Sequence, residues 1–306
     1  MKSFHRFLGK DWVEYLKVES MEHLAPRIVL GCILVLMVTG AAFGQQNAKD
    51  LFTPEANVQN AVTYVDRGIA KQKKGDLDGA IADYNQAIKL NPQYAAAYDN
   101  RGNVKRKRGD LDGAMADYNQ ALKLRPKYPV AYNNRGRARE MKGDRDGAIA
   151  DYNQAIELNP KFAAAYNNRG DVERKKGDLD RAMTDNNEAI KLSPKFSAAY
   201  DNRGSVRLAK GDLNGAIADY NQAILLNPKN PFAYNNRGIA QERKGDLNAA
   251  LADYNQAIEL NPKYGVAYRN RGNAKRKKGD LNGASADLNR AIKLGSRPVD
   301  AVEIPD

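Results

Sequence analysis

Six prolines, Pro92, Pro126, Pro160, Pro194, Pro228 and Pro262, stand 34 residues apart with no insertion between them. An Asn-Arg-Gly triplet, a Gly-Asp step and an Ala-Asp-Tyr triplet return at the same interval with few exceptions. A fixed period of this length means that no unit buries its apolar face alone, so the units stack into a solenoid. The functional question therefore moves from a catalytic pocket to an extended surface. Seven such units run from Ala61 to Ser296, and the 306-residue chain reads as one continuous body rather than two domains.

Within the unit that starts at Ala95, the small or apolar Ala95, Ala97, Tyr98, Gly102 and Val104 recur at helical spacing. Gly109-Asp110 breaks the pattern. Ala114, Met115, Tyr118, Ala121 and Leu122 then resume it, and Pro126 ends it, because proline cannot continue a helix. Each unit is read as two antiparallel helices of roughly 13 residues. Gly109 suits a left-handed residue closing the first helix, and Asp110 or Asp112 can cap the second. Gly102 and its counterparts fall inside the first helix, where glycine costs about 1 kcal/mol relative to alanine. A cost repeated in every unit implies close approach of the second helix. Asp76-Leu77-Asp78-Gly79 mimics part of a calcium loop but lacks the further ligands of one, and is read as a helix cap.

This unit resembles the tetratricopeptide repeat, carried by Tyr98, Gly102, Ala114, Tyr118, Ala121 and Pro126 and their equivalents. The resemblance implies an all-α, right-handed superhelical solenoid, with the first helix of each pair lining a concave groove that binds peptides or partner proteins. The chain departs from the pattern in places. Arg101 and its equivalents stand where the family usually has a large apolar residue. Lys71, Lys105, Arg139, Glu173, Arg207, Gln241 and Lys275 stand where an aromatic is common. The fourth unit has Asn186 in place of the second-helix Tyr, and the last unit lacks the closing proline and any recognisable capping helix.

Residues 28–43 form the only long apolar run, preceded by Arg27 and followed by Gly44 and Gln45-Gln46. It is short for a bilayer span, which needs about 20 residues. The basic flank and the small-x-small ending Ala42-Phe43-Gly44 describe a secretory signal peptide over residues 1–44, with Met21 as an alternative start. The expected location is therefore periplasmic or extracellular. The rival is an uncleaved inner-membrane anchor, which would make the chain a tethered assembly scaffold. Residues 45–60 read as a linker with a helix start at Thr53-Pro54-Glu55, and 297–306 as a tail.

Cleavage after Gly44 would remove His5, His23, Cys32 and Trp12, which are all the histidine, cysteine and tryptophan of the chain. No thiolate, imidazole or disulfide would remain, so neither an enzyme, a metal site nor a cofactor is expected. The remaining chain would hold 44 basic and 33 acidic residues, a net +11. Such a balance favours an acidic peptide or another polyanion. Nucleic acid is disfavoured by the scarcity of groove aromatics on which bases could stack.

The candidate groove residues lie on one face of the first helices. Asn100, Asn134, Asn168, Asn202, Asn236 and Asn270 form a ladder, broken by Asp66 in the first unit. Amides donate and accept, so the ladder is expected to pair with an extended backbone of any sequence. Arg106, Lys107, Arg137, Arg174, Lys175, Arg243, Arg276 and Lys277 supply positive charge, and Leu208, Phe232 and Ile239 an apolar anchor. Two further expectations concern stability. The Arg101 column should pair with the Asp117 column across each helix pair, with the arginine stem packed and its head hydrogen-bonded. The fourth unit should be the weakest, because Asn186 replaces a buried ring.

Overall fold

The computed structural model describes residues 54–296. The signal, most of the linker and the tail read from the sequence lie outside the described residues. The described chain holds fourteen helices and no strand. The first helix, α1, spans Pro54–Lys73 and α2 spans Leu77–Leu90. They are followed by α3 (Ala95–Lys107), α4 (Leu111–Leu124), α5 (Pro129–Met141), α6 (Arg145–Leu158) and α7 (Ala163–Lys176). The second half comprises α8 (Leu179–Leu192), α9 (Ser197–Ala209), α10 (Leu213–Leu226), α11 (Pro231–Arg243), α12 (Leu247–Leu260), α13 (Gly265–Lys277) and α14 (Leu281–Lys293). The helix start at Pro54 lengthens α1 beyond its repeat. Among the described residues no helix is long and apolar enough to cross a membrane.

The turn within each repeat follows from its glycine. Gly75, Gly109, Gly143, Gly177, Gly211, Gly245 and Gly279 all have φ between 82° and 93°, the left-handed region that a side chain disfavours. The aspartate one residue later caps the second helix. Asp110 Oδ1 accepts from the Gly113 N–H at 2.9 Å, and the other six repeats repeat the bond. Asp112 is not the cap, and ion-pairs instead with Lys142 of the next repeat.

The core of five repeats is one tyrosine against one glycine, with Asn186 in the fourth repeat and Leu288 in the seventh at the tyrosine's place. Tyr84, Tyr118, Tyr152, Tyr220 and Tyr254 are fully buried. A Cβ placed on the facing Gly68, Gly102, Gly136, Gly204 or Gly238 would lie 2.5–2.8 Å from the ring. The in-helix glycine therefore gives up helix propensity so that the ring can lie flat on backbone. Alanines at 0 % exposure, such as Ala97, Ala114 and Ala121, complete the close packing.

Packing is local along the array. Each second helix touches its own first helix and the next one, and neighbouring first helices also touch. Crowding of the first helices, with the second helices splayed apart, places the first helices on the inner side of a right-handed superhelical solenoid.

Candidate functional site: the inner face and its repeat joints

The arginine column is the frame of this face. Arg101 Nε and Nη2 donate to both carboxylate oxygens of Asp117 at 2.9 and 2.6 Å, a bidentate fork. The same fork joins Arg67–Asp83, Arg135–Asp151, Arg169–Asp185, Arg203–Asp219, Arg237–Asp253 and Arg271–Asp287. The aspartates are buried, and the Arg67 guanidinium is the first cause holding the Asp83 carboxyl below its ordinary value. Each guanidinium also lies over the ring of the tyrosine three residues before it, 5.5 Å from Tyr98 in the case of Arg101. The expected pairing is therefore present in all seven repeats.

The same arginine also joins repeats. Arg101 Nη1 donates to Asn85 Oδ1 of the preceding second helix at 2.6 Å, and five later arginines do likewise. Another cation adds to five of the joints from the end of the first helix: Arg108 to Asp78, Lys142 to Asp112, Lys176 to Asp146, Lys210 to Asp180 and Lys278 to Asn248. Sequence reading missed both joints, because it compared columns only within a repeat.

The asparagine ladder is placed differently from the expectation. Its amides are already engaged across the joints, one residue out of column. Asn134 donates to Asp99 at 3.0 Å, Asn168 to Asn133, Asn202 to Asn167, Asn236 to Asp201 and Asn270 to Asn235. Asn100 meets the apolar Val65 at the equivalent place and turns back to the Ala96 carbonyl. The offset of 35 residues, one more than the period, hid this pairing from a column-by-column reading. The ladder thus spends a donor on holding neighbouring first helices together. Burial pushes Asp99 and Asp201 up to about 6, against the hydrogen bonds from Asn134 and Asn236.

The cations divide into three groups. Arg106 is buried at 9 % exposure, its Nη1 reaching the Met141 sulfur and its Nε finding no partner, so it is not a surface contact. Arg174 and Lys175 bond Asp171, and Lys175 also bonds Glu140 at 2.6 Å; Lys277 bonds Glu242. Lys107, Arg137 and Arg243 are exposed and make no ion pair among the described residues, while Arg276 reaches only Asn273. Partial desolvation among its neighbours, and then the nearby Arg106 charge, lower the pKa of Arg137 against the opposite pull of Glu140.

The apolar anchor is reduced to one residue. Phe232 is 52 % exposed, edge-on to Tyr264 with ring centroids 5.0 Å apart. Ile239 and Leu208 are half-buried against the core tyrosine clusters. Among the described residues no group of acidic, His or Cys side chains is arranged to hold a metal ion.

Tetratricopeptide repeat family models match residues 70–105, 102–143 and 204–245, residues 133–195, and residues 231–264. No curated protein matches the sequence. The fold is similar to a crystal structure of a tetratricopeptide repeat protein from Parabacteroides merdae, with a TM-score of 0.62 and 22 % identity over 78 % of this chain and 94 % of that one. The Cut9–Hcn1 hetero-tetramer of the APC/C matches with a TM-score of 0.70 and 17 % identity, over 76 % of this chain and 46 % of that one. PilW, a type IV pilus biogenesis factor, matches with a TM-score of 0.60 and 18 % identity, over 67 % and 94 %. At these identities the likeness is one of fold. Repeats of this kind generally serve as non-catalytic scaffolds for protein interaction. Family-model matches across residues 70–195 and 204–264, fourteen paired helices and the glycine–tyrosine core together make the chain a member of the tetratricopeptide repeat family.

Proposed function

We propose that the chain is a non-catalytic scaffold that captures an extended, acidic segment of a partner protein along its inner face. The observation that carries this reading is the unneutralised charge on that face. Its acidic residues Asp171, Glu140 and Glu242 are paired with lysines or arginine, and Asp99 and Asp201 accept from ladder asparagines; apart from Asp66 in the first repeat, this leaves Lys107, Arg137 and Arg243 as cations that make no ion pair among the described residues. An acidic partner would supply it, and steering by such a surface raises association rates. Phe232 offers an exposed aromatic contact at the start of α11. The asparagine ladder keeps a secondary role, since its amides hold the joints first.

The test uses two labelled peptides of equal length, one rich in Glu with a central Phe or Leu, one with Lys in place of Glu. Fluorescence anisotropy should show the acidic peptide binding at least 10-fold tighter, with affinity falling as salt rises. Replacing Lys107, Arg137 and Arg243 together by Ser should remove the preference while helicity is retained. Equal binding of both peptides, or an unchanged preference in the variant, would discard the acidic-partner reading. Export is the companion proposal, resting on residues 28–44 of the sequence; mass spectrometry of the native N-terminus decides between a chain beginning near Gln45 and a tethered one.

A further inference from the structure

The two ends of the array carry the halves of one broken joint. The six internal joints draw on a common set of three bonds, from the later repeat back to the earlier one, the first made at all six joints and the other two at five each. They are arginine to second-helix asparagine, ladder residue to the residue 35 positions before it, and helix-end cation to the residue 30 positions before it. The first repeat has the later half of this set and no repeat described before it. The last repeat has the earlier half and nothing described after it.

The exposure of the two faces shows what each lacks. On α1, Thr63 and Ala70 are exposed where Ala97 and Val104 of the next repeat are fully buried. Arg67 has a side-chain exposure of 56 %, against 17–23 % for its six counterparts, because it bonds Asp83 but no asparagine. On α14, Leu281 and Ile292 are 66 % and 55 % exposed, although Leu122 and Ile258, at the register of Ile292, are 7 % and 9 % exposed.

The residues at the two ends are complementary. Carrying the joint offsets across from α1 to the last repeat sets Arg67 against Asn289, the pair used at six internal joints. It sets Lys74 against Asn282, repeating Lys278 with Asn248. The ladder position is the most telling. Asp66 is the only ladder residue that is not asparagine, and it would meet Arg269, the only cation at the acceptor position. The two departures fall at opposite ends of the array and have opposite charge. One juxtaposition opposes them: Lys73 against Arg276, both exposed at the rim, where salt screens the repulsion.

We propose that the α1 face of one copy docks on the α14 face of a second copy, continuing the solenoid head to tail through Asp66–Arg269, Arg67–Asn289 and Lys74–Asn282. Such a contact is heterologous. It does not close on itself, so it yields a ladder of dimers, trimers and longer chains as concentration rises. The mutual covering of Leu281 and Ile292 with Thr63 and Ala70 of α1 supplies the less polar part of the interface.

Sedimentation equilibrium of the full chain tests this, in a mild non-ionic detergent that disperses the apolar segment at residues 28–43. The weight-average mass should climb between about 1 and 100 µM, the weak end of the affinities that protein interfaces show. Asp66→Arg and Arg269→Asp should each weaken association at least 10-fold. The double variant Asp66→Arg/Arg269→Asp, and an equimolar mixture of the two single variants, should recover it, because each restores opposite charges at the joint. Circular dichroism confirms that the helices persist. If Arg269→Asp unfolds the last repeat, Asp66→Arg and Asn289→Ala carry the test alone, each expected to weaken assembly. A wild-type chain that keeps its monomer mass, as it would if another segment of the same chain covered α14, overturns the proposal. So does association that the Asp66→Arg variant leaves unchanged.

Discussion

A buried aspartate is expensive unless its charge is matched, and the array solves this with one guanidinium fork per repeat. The sixth repeat is the cleanest place to measure the solution, because Gln241 replaces the second cation that Lys105 or Arg139 supplies elsewhere. Asp253→Leu or Arg237→Leu alone should cost about 3 kcal/mol by leaving an uncompensated charge, whereas the double variant should cost far less. Chemical denaturation of the four species provides the coupling energy; additive losses would mean that the pair is not a unit. The ladder holds a second residue-scale effect. The folded values of Asp99 and Asp201, about 6, lie above the usual carboxylate value near 4. Between those two values the folded chain retains protons that the unfolded chain has released, so stability falls as pH rises through this window. Asp99→Asn copies Asn133, Asn167 and Asn235, which already serve as acceptors at that register. It should raise stability at pH 7.5 by about 1–3 kcal/mol, and the advantage should disappear near pH 4. A gain that did not vary with pH would assign the effect to packing rather than charge. Below pH 4 the order reverses, because Asp83, Asp146 and Asp180 are held low by their cations and lose them on protonation.

Among the elements, α8 departs most from its siblings. Asn186 is fully enclosed, its amide donating to the Ala182 carbonyl at 2.8 Å while its Oδ1 has no partner. The glycine opposite, Gly170, is kept even though no ring presses on it, and a Cβ there would stand 3.1 Å from the Asn186 amide. The slot for a ring is therefore intact. Arg174, whose Nε is buried without a partner, and Asp171 lie at the register of the residues that bond the tyrosine hydroxyl elsewhere. Asn186→Tyr should stabilise the chain by about 1–3 kcal/mol through buried area and a satisfied polar group. In the wild type, hydrogen exchange should be fastest, among the internal repeats, around Met183–Leu192; a flat exchange profile across them would refute this. This weakness was legible in the sequence because it is a single break in a column. The glycine turn, the aspartate cap and the arginine–aspartate fork were legible for the same reason. The ladder bonds were not, since their partners sit in a neighbouring column of the preceding repeat. Nor was the burial of Arg106, whose fate depends on Met141 in the next repeat.

For the whole molecule, the fold was readable from the period alone, because packing between the described helices is made within a repeat and between adjacent repeats. The inner face was readable as a face, but the distribution of charge on it was not: which cations keep their charge unspent depends on pairings between repeats, such as Lys175 with Glu140. The uniform joint has a last consequence, for the length of the chain as a heritable property. Excising residues 163–196 would bring Ser197 to the place of Ala163. Arg203 would then meet Asn153, Asn202 would meet Asn133, and Lys210 would meet Asp146, each the partner that the lost repeat had used. The shortened protein should fold with undiminished helicity per residue and, having shed the unit that buries the unpartnered Asn186 Oδ1, melt no lower than the parent. Excising one residue fewer should abolish cooperative melting in the flanking repeats; a calorimetric scan of the two deletions compares them directly. A gene for such a chain can gain or lose whole units by unequal recombination without passing through an unfolded product, so its copy number is free to follow the reach that its partners require.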